Sequence, residues 1–232
     1  MWVLSRESRM SNSVITTLRL EGPLQAWGSD ARWDYRGTDL FPTKSGIIGL
    51  LGCALGIARN DDRLVDISRQ LRMATRADRP GIRIVDYQTV TGSPLLNAEG
   101  KKRSGSQTFI SRREYLSDAS FLVALEGPAD LIKEIEEGLR DPKWSYYLGR
   151  KNCIPSRPVL EKGPRTYESL DDALRHHPIS FRAGLTGDAH YTCETEIPLS
   201  TGAQLSRSDL LNDGASRTFN MRTVYRGDIS CT

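Results

Sequence analysis

Histidine and cysteine are scarce in this sequence of 232 residues. It holds three histidines, and all of them lie at or beyond position 176. The four cysteines are widely separated and form no CxxC pair (Cys53, Cys153, Cys193 and Cys231). Zinc ribbons and the disulfide frameworks of secreted proteins need closely spaced cysteines. We therefore expect reduced cysteines, no bound metal and a cytoplasmic protein.

Long apolar runs are lacking as well. The most apolar stretch, residues 46–57 (GIIGLLGCALGI), has 12 residues, whereas a membrane-spanning helix needs about 20. The first 12 residues contain no apolar run of the length that a signal peptide requires. We expect residues 1–12 to be a disordered leader, and we expect no membrane contact.

Apolar periodicity predicts an α+β fold. Helices are predicted at residues 46–57, with Thr43 or Ser45 as the N-cap, at residues 61–71 and at residues 129–139. Strands are predicted at residues 13–20, 73–77, 82–91, 108–115, 120–125, 191–197 and 218–225. This order favours a ferredoxin-like (RRM-like) domain over residues 13–177, with its helices on one face of an antiparallel sheet. Residues 178–232 are predicted to form a small β-rich C-terminal region.

Residues 92–107 separate two strand-like runs and are polar, glycine-bearing and without periodicity. Such a segment is long for a simple connection between strands. It predicts a protruding β-hairpin, or thumb.

Glycines recur every three or four residues in the first predicted helix, at positions 46, 49, 52 and 56. That spacing places them near one face, where another backbone could approach closely. Each glycine costs about 1 kcal/mol relative to alanine in a helix, so we expect close packing on this face.

Two clusters of basic residues contain no acidic residue, although the net charge of the whole chain is only +3. The second cluster surrounds Trp144, Tyr146 and Tyr147. Cations for phosphates beside flat rings for bases are typical of a single-stranded RNA site. A solvated surface explains either cluster alone equally well. The clusters are Lys101, Lys102, Arg103, Arg112 and Arg113, and Lys143, Arg150, Lys151 and Arg157.

Two shorter segments could also hold a phosphate. The loop at residues 22–28 (GPLQAWG) could offer backbone N–H groups, but a plain turn with a packed tryptophan explains it as well. Residues 43–46 (TKSG) lack the order GxxxxGK[ST] of a phosphate loop. This disfavours ATP, while one RNA phosphate at the helix N-terminus remains plausible.

No catalytic or cofactor motif is present. The sequence has no nucleophile elbow, no HExxH and no GxGxxG. His176 and His177 precede Pro178 in a polar segment that is typical of a solvated turn. We expect no catalytic residue and no cofactor.

Five stretches together resemble the CasD family, the guide-handle-binding subunits of the type I-E CRISPR complex called Cascade (CRISPR-associated protein family five). The resemblance covers residues 13–160 well and the C-terminal third loosely. The stretches are LRLEGPLQAWG (18–28), FPTKSGIIGLLGCALGI (41–57), DYQTV (86–90), SRREYLSDASFLVAL (111–125) and YYLGRKNCIPSRPVL (146–160).

The resemblance implies a protein that caps the 5′ handle of the guide RNA (crRNA), with its thumb at residues 92–107. It also implies contacts with the neighbouring backbone subunit and with the large subunit, while target DNA is met only through the complex. Combined with the basic clusters, it predicts the following RNA-binding residues: Gln25, Trp27, Lys44, Ser45, Lys101, Lys102, Arg103, Gln107, Arg112, Arg113, Tyr115, Tyr146, Tyr147, Arg150 and Lys151.

Two alternatives stay open. A type I-C relative processes repeat RNA with a tyrosine, a lysine and a histidine, which makes a metal-independent endoribonuclease the rival hypothesis. The position of all three histidines beyond residue 175 puts such a site in doubt. A protein–protein scaffold without direct RNA contact is the third hypothesis.

Overall fold

The computed structural model describes residues 13–28, 34–92, 96, 99–102, 108–161, 166–181 and 190–231. The predicted leader lies outside the described residues. Helices in the described residues are α1 (Lys44–Leu55), α2 (Arg63–Gln70), α3 (Ala129–Arg140) and α4 (Leu170–His176). Strands are β1 (Ser13–Glu21), β2 (Leu24–Gln25), β3 (Tyr35–Arg36), β4 (Arg72–Arg79), β5 (Ile82–Thr91), β6 (Thr108–Ser117), β7 (Ser120–Pro128), β8 (Leu160–Glu161), β9 (His190–Thr195), β10 (Ala203–Asp213) and β11 (Thr218–Ser230).

A seven-stranded antiparallel sheet forms the centre of the fold, in the order β10-β11-β9-β4-β7-β1-β8. Strand β7 reads as a continuous apolar run, and eight of its nine residues are buried. Such a run fits a strand that is covered on both faces. The mixed α/β class predicted from the sequence is therefore confirmed.

Helices cover both faces of this sheet, which corrects the prediction that they share one face. Met73, Val123 and Leu125 pack with α1, α2 and α3 in the larger core. Ala74, Leu122 and Ala124 point the other way and pack with α4 in a smaller core. Helix α4 was missed because it has only seven residues, too few for a clear helical period.

A second sheet contains the two strands on either side of the predicted thumb. Strands β5 and β6 pair over their whole length, and β2 and β3 flank β6. Most residues of β5 are exposed, so this two-stranded ribbon projects from the body. Of the predicted thumb at 92–107, only residues 92, 96 and 99–102 lie within the described part of the chain. The thumb itself stays a prediction.

The C-terminal strands extend the main sheet. Strand β9 pairs with β4, and β11 and β10 follow outward. The region predicted as small and β-rich therefore shares hydrogen bonds with the strands of residues 13–177. Strand β10 was missed because its sequence, AQLSRSDLLND, is mostly polar.

Helix α1 begins after the predicted N-cap Thr43, but it ends at Leu55, two residues before the predicted end. The Thr43 side chain accepts a hydrogen bond from the backbone N–H of Gly46, and Gly56 ends the helix at a φ of 69°. That left-handed conformation suits glycine. A β-carbon at Gly46 would lie 2.9 Å from the Trp27 ring, and one at Gly52 would lie 2.8 Å from Leu64. At Gly46 and Gly52 the glycine face thus packs closely against side chains, whereas at Gly49 a β-carbon would meet no atom within 4 Å.

A buried polar network holds α4 to the sheet. Arg76 is fully buried, and its guanidinium donates to Asp78 and to the carbonyl oxygens of Leu174, His177 and Pro178. The His177 ring is also buried and is hydrogen-bonded to the Tyr167 hydroxyl at 2.7 Å, which corrects the solvated turn predicted for this residue; of the two adjacent histidines only His176 is exposed. Burial, helped by nearby arginines, lowers the pKa of His177 to about 4.

We expect this histidine to make folding stability depend on pH. Its unfolded pKa is about 6.5, so between about pH 6.5 and 4 the unfolded chain binds the extra proton. The contribution of neutral His177 to the free energy of unfolding is complete above pH 6.5. It decreases as the pH falls towards 4, and about 1–2 kcal/mol is lost at pH 5. Urea unfolding of wild type and His177→Gln at pH 7.5 and pH 5 measures the difference. The exposed neighbour provides the control, because His176→Gln should keep the wild-type dependence.

Candidate nucleic-acid interface

A cleft of about 920 Å³ lies between α1, the segment around β3 and the β10–β11 hairpin. We call it the α1 cleft. Its floor is the glycine face of α1, and its walls come from residues 26–28, residues 36–39, residues 144–150, residues 206–209 and the end of the hairpin. A volume in this range is typical of sites that hold small ligands or single nucleotides.

The floor of the α1 cleft is open at Gly49. This glycine is exposed, and a β-carbon built on it would meet no atom within 4 Å. Gly46 lies one turn before it, beside the side chain of Ser45. A ligand backbone could therefore approach the axis of α1 more closely here than over any larger residue.

Arg150 fixes one wall. Its guanidinium donates to the carbonyl oxygen of Glu114 at 2.8 Å and to those of Arg36 and Gly37 at 2.9 and 3.0 Å. It also lies over the ring of Tyr115, 4.8 Å from the centroid. Arg150 thus ties three separate segments together, and its donors are directed at the protein.

Three other arginines line the α1 cleft without an acidic partner among the described residues: Arg36, Arg59 and Arg217. Further along the hairpin, the arginines are neutralised. Arg207 pairs with Asp39 and Glu194, and Arg222 pairs with Asp209. Since both carboxylates of the cleft already have a cation, the charge left over in it is positive.

Aromatic rings stand at the same cleft. Trp144 is 49% exposed, and Tyr147 is half-buried; both line the cleft. Unpaired guanidinium groups, hydroxyls such as Ser45 and partly exposed rings are the groups that single-stranded nucleic acids need.

Four predicted RNA contacts lie in the interior instead. Gln25 is fully buried, donates to the carbonyl oxygens of Leu20 and Ala119, and accepts from the Trp27 indole. Trp27 and Tyr115 are each 1% exposed. The predictions for these three side chains and for Lys44 are corrected, because every one of them is enclosed by protein.

Lys44 shows why a lysine near a helix N-terminus need not bind phosphate. Its ammonium donates to the carbonyl oxygen of Leu71 at 2.6 Å and to Glu196 at 2.9 Å, while its backbone N–H donates to Asp209. Burial lowers the pKa of Lys44, against the opposing effect of Glu196. This lysine joins α1 to the C-terminal strands.

The remaining predicted residues divide between three places. Ser45, Tyr147 and Arg150 line the α1 cleft, whereas Tyr146 packs against the larger core. Lys151 is exposed beside the cleft residue Arg150. The ribbon strand β6 carries Arg112 and Arg113, and the described part of the thumb carries the exposed Lys101 and Lys102. Arg103 and Gln107 lie outside the described residues.

The ribbon and the cleft are connected through β3. Tyr35 and Arg36 pair with Arg112 and Arg113 of β6, and Arg36 then reaches the cleft. Arg112 is exposed and lies over the ring of Tyr87, 5.8 Å from the centroid. A path of cations therefore runs from the ribbon into the α1 cleft.

Sequence reasoning missed Arg36, Arg59 and Arg217. Arg36 and Arg59 lie among acidic residues, and Arg217 has no basic residue within four positions, so no acid-free basic cluster marks them. One signal could have found the first of them, because Arg36 follows two aromatic residues in the loop before α1. The other two come to the cleft only through the tertiary fold.

Groups for other chemistries are not found together in the described part of the chain. There, no three histidine, cysteine or acidic residues are placed to hold a metal ion. No histidine is among the described residues that line the α1 cleft. The helices described are all too short or too polar to cross a membrane.

Residues 16–225 match the protein family described as CRISPR-associated protein (Cas_Cas5). That match spans most of the chain. The chain belongs to the Cas5 family of CRISPR-associated proteins.

Similar proteins with known names or structures support this assignment. The "CRISPR system Cascade subunit CasD" of Escherichia coli (strain K12) is 38% identical over 176 residues, which cover 70% of this chain and 76% of that protein. A chain of a solved "CRISPR RNA-guided surveillance complex" superposes with a TM-score of 0.73 at 30% identity, covering 94% of this chain and 90% of that one. A solved Cas protein gives a TM-score of 0.66 at 30% identity, covering 93% of this chain and 94% of that one.

Proposed function

We propose that this chain is a non-catalytic subunit of a type I-E Cascade surveillance complex in antiviral defence. In that complex it binds and caps the 5′ handle of the crRNA and contacts the backbone and large subunits. The similarity to the Cascade subunit CasD and to a chain of an RNA-guided surveillance complex supports the first part.

The observation that carries RNA binding is the set of unpaired arginines in the α1 cleft. Arg36, Arg59 and Arg217 have no acidic partner in the described part of the chain, yet they line one cleft with Trp144 and Tyr147. A protein that keeps cations unneutralised beside exposed rings is suited to a polyanion with flat bases. The ribbon carries further cations that an RNA leaving the cleft could follow.

The core also suits the ferredoxin-like arrangement that we propose for residues 13–177. Strands β4, β7, β1 and β8 are adjacent in that order, and α1–α2 and α3 connect them on one face. In this proposal the sheet is not the surface for bases, because both its faces are covered by helices at β7 and β4.

Crosslinking tests the proposed site. The complex is assembled from this chain, its partner subunits and a photoreactive crRNA, and the peptides attached to the RNA are identified. We expect peptides that contain residues 34–39, 59 and 144–151, from the walls of the α1 cleft. Crosslinks confined to α3 or α4 would contradict the proposal.

A nuclease assay addresses the rival hypothesis. The full chain is incubated with a repeat-RNA hairpin in the presence of a chelator. We expect no specific cleavage, since the described histidines are either hydrogen-bonded under α4, paired with Asp172 or located on β9 away from the cleft. Specific cleavage that persists through repurification and is lost in His177→Gln would favour the endoribonuclease.

A further inference from the structure

Arg59 and Arg217 belong to different elements that meet at one end of the α1 cleft. Arg59 lies in the connection between α1 and α2, and Arg217 ends the turn between β10 and β11. The turn packs on that connection, since a β-carbon at Gly214 would lie 3.1 Å from the carbonyl oxygen of Asp61. The two positive charges therefore stand in the same small region.

Neither arginine is neutralised there. Asp61 and Asp62 lie in the same connection, but among the described residues no carboxylate forms an ion pair with Arg59 or Arg217. The Asp61 carboxylate accepts from the backbone of Arg63, and Asp213 accepts from the backbone of Ser216. Asp61 and Asp213 thus shape the start of α2 and the turn, while the Asp62 carboxylate lies beside Gly214, 3.2 Å from a β-carbon built there.

The arrangement is unfavourable for the chain on its own. Arg217 has a φ of 57°, a left-handed conformation that costs a non-glycine residue free energy. Its Nε is buried and has no hydrogen-bond partner. Burial and the charge of Arg59 also lower the pKa of Arg217. The guanidinium of Arg217 lies over the Phe219 ring, 5.6 Å from the centroid. The left-handed backbone, the unsatisfied buried Nε and the repulsion from Arg59 favour an anion as the partner of this site.

We propose that Arg59 and Arg217 together bind one phosphate of the guide RNA and so fasten the β10–β11 hairpin to the start of α2. This rests on the proposed function, and it assigns the C-terminal hairpin a direct part in RNA binding. A phosphate fits because it can accept from two guanidinium groups at once. Trp144 and Tyr147 line the same cleft and can receive the adjoining base.

Single and double substitutions test this proposal on the full chain. The variants are Arg59→Gln, Arg217→Gln and both together, and Arg69→Gln on α2 is the matched control, an exposed arginine that does not line the cleft. Binding of a fluorescently labelled guide-length RNA is measured by anisotropy. We expect each single variant to weaken binding about tenfold or more and the control to bind like wild type. The double variant should lose less than the product of the two single effects, because both groups hold the same phosphate.

A second measurement separates this site from general RNA affinity. The melting temperature is compared in phosphate and in chloride at equal ionic strength. Phosphate should raise the melting temperature of wild type and of Arg69→Gln more than that of the Arg59 and Arg217 variants. In chloride, those two variants should be at least as stable as wild type, since a repulsion is removed.

The outcomes are distinct. Equal phosphate stabilisation of all variants, or a guide affinity unchanged in both single variants, would overturn the proposal. Lost phosphate stabilisation with unchanged guide affinity would mean that the site takes a free anion, which also overturns it. A third outcome is that wild type binds no RNA, while phosphate still stabilises it through the two arginines. In that case the proposed function is wrong, and Arg59 and Arg217 form an anion site that does not bind RNA.

Discussion

Replacing Gly149 by alanine should strongly destabilise this protein. Gly149 has a φ of 88°, and an alanine β-carbon there would lie 1.8 Å from the carbonyl oxygen of Ala26. That is far inside van der Waals contact, and the obstacle is backbone rather than a movable side chain. Because the N–H of Ala26 donates to the carbonyl oxygen of Leu148 at 3.1 Å, the two segments cannot separate without breaking this bond.

We expect a loss of at least about 3 kcal/mol, or about 6–12 °C in melting temperature for a chain of this size. Urea and thermal unfolding followed by circular dichroism measure it. Gly49→Ala is the matched control, since it adds the same methyl group where no atom lies within 4 Å. Alanine is the better helix former, so this control should gain up to about 1 kcal/mol. A Gly149→Ala protein as stable as wild type would show that residues 26 and 149 are not in contact.

Guide binding should weaken about a hundredfold when the salt concentration rises fourfold. Single-stranded RNA gives a log–log slope of about −0.7 for each phosphate neutralised, so about five contacts give about −3.5. Exposed or unpaired cations along the path from the ribbon to the cleft can supply them: Arg36, Arg59, Arg112, Lys151 and Arg217. The measurement is RNA affinity of the full chain across a salt series.

Arg36 provides the sharpest variant for this experiment. Its backbone carbonyl accepts from Arg150, but its guanidinium has no acidic partner in the described chain, so Arg36→Gln should leave the fold intact. We expect the slope to become shallower by about 0.7. Arg140→Gln on α3, where the arginine pairs with Glu136, should leave the slope unchanged. A slope near zero for wild type would rule out binding through phosphates.

Local signals explain which parts of the fold could be predicted. Thr43 and Gly56 mark the ends of α1 by capping, which depends on residues within a few positions. The apolar run of β7 needs no partner to be recognised. By contrast, β10 is stabilised by its long pairing with β11 and by ion pairs such as Arg207 with Glu194. Its own sequence therefore carries little strand signal.

The site was harder to predict for the same reason. Lys44 looked available for a phosphate because its partners Glu196 and Asp209 lie more than 150 residues further along the chain. Arg59 and Arg217 looked unremarkable because neither belongs to a run of basic residues, and only the packing of the hairpin turn beside the start of α2 brings them together. A charge cluster in the sequence shows cations that are neighbours along the chain, and this site is made of cations that are neighbours in space.

The pairing of β4 with β9 has a consequence for how the protein is made. In the finished sheet β4 lies between β7 and β9, but β9 begins at His190, more than 100 residues after β4 ends. Synthesis proceeds at about 5–20 residues per second, so the interval between the synthesis of β4 and that of β9 is on the order of ten seconds. During this interval one edge of β4 has no partner strand. An unpaired edge can capture other chains. The last strands made, β9 to β11, thus complete the α1 cleft and also cover the open edge of β4 in a nascent chain.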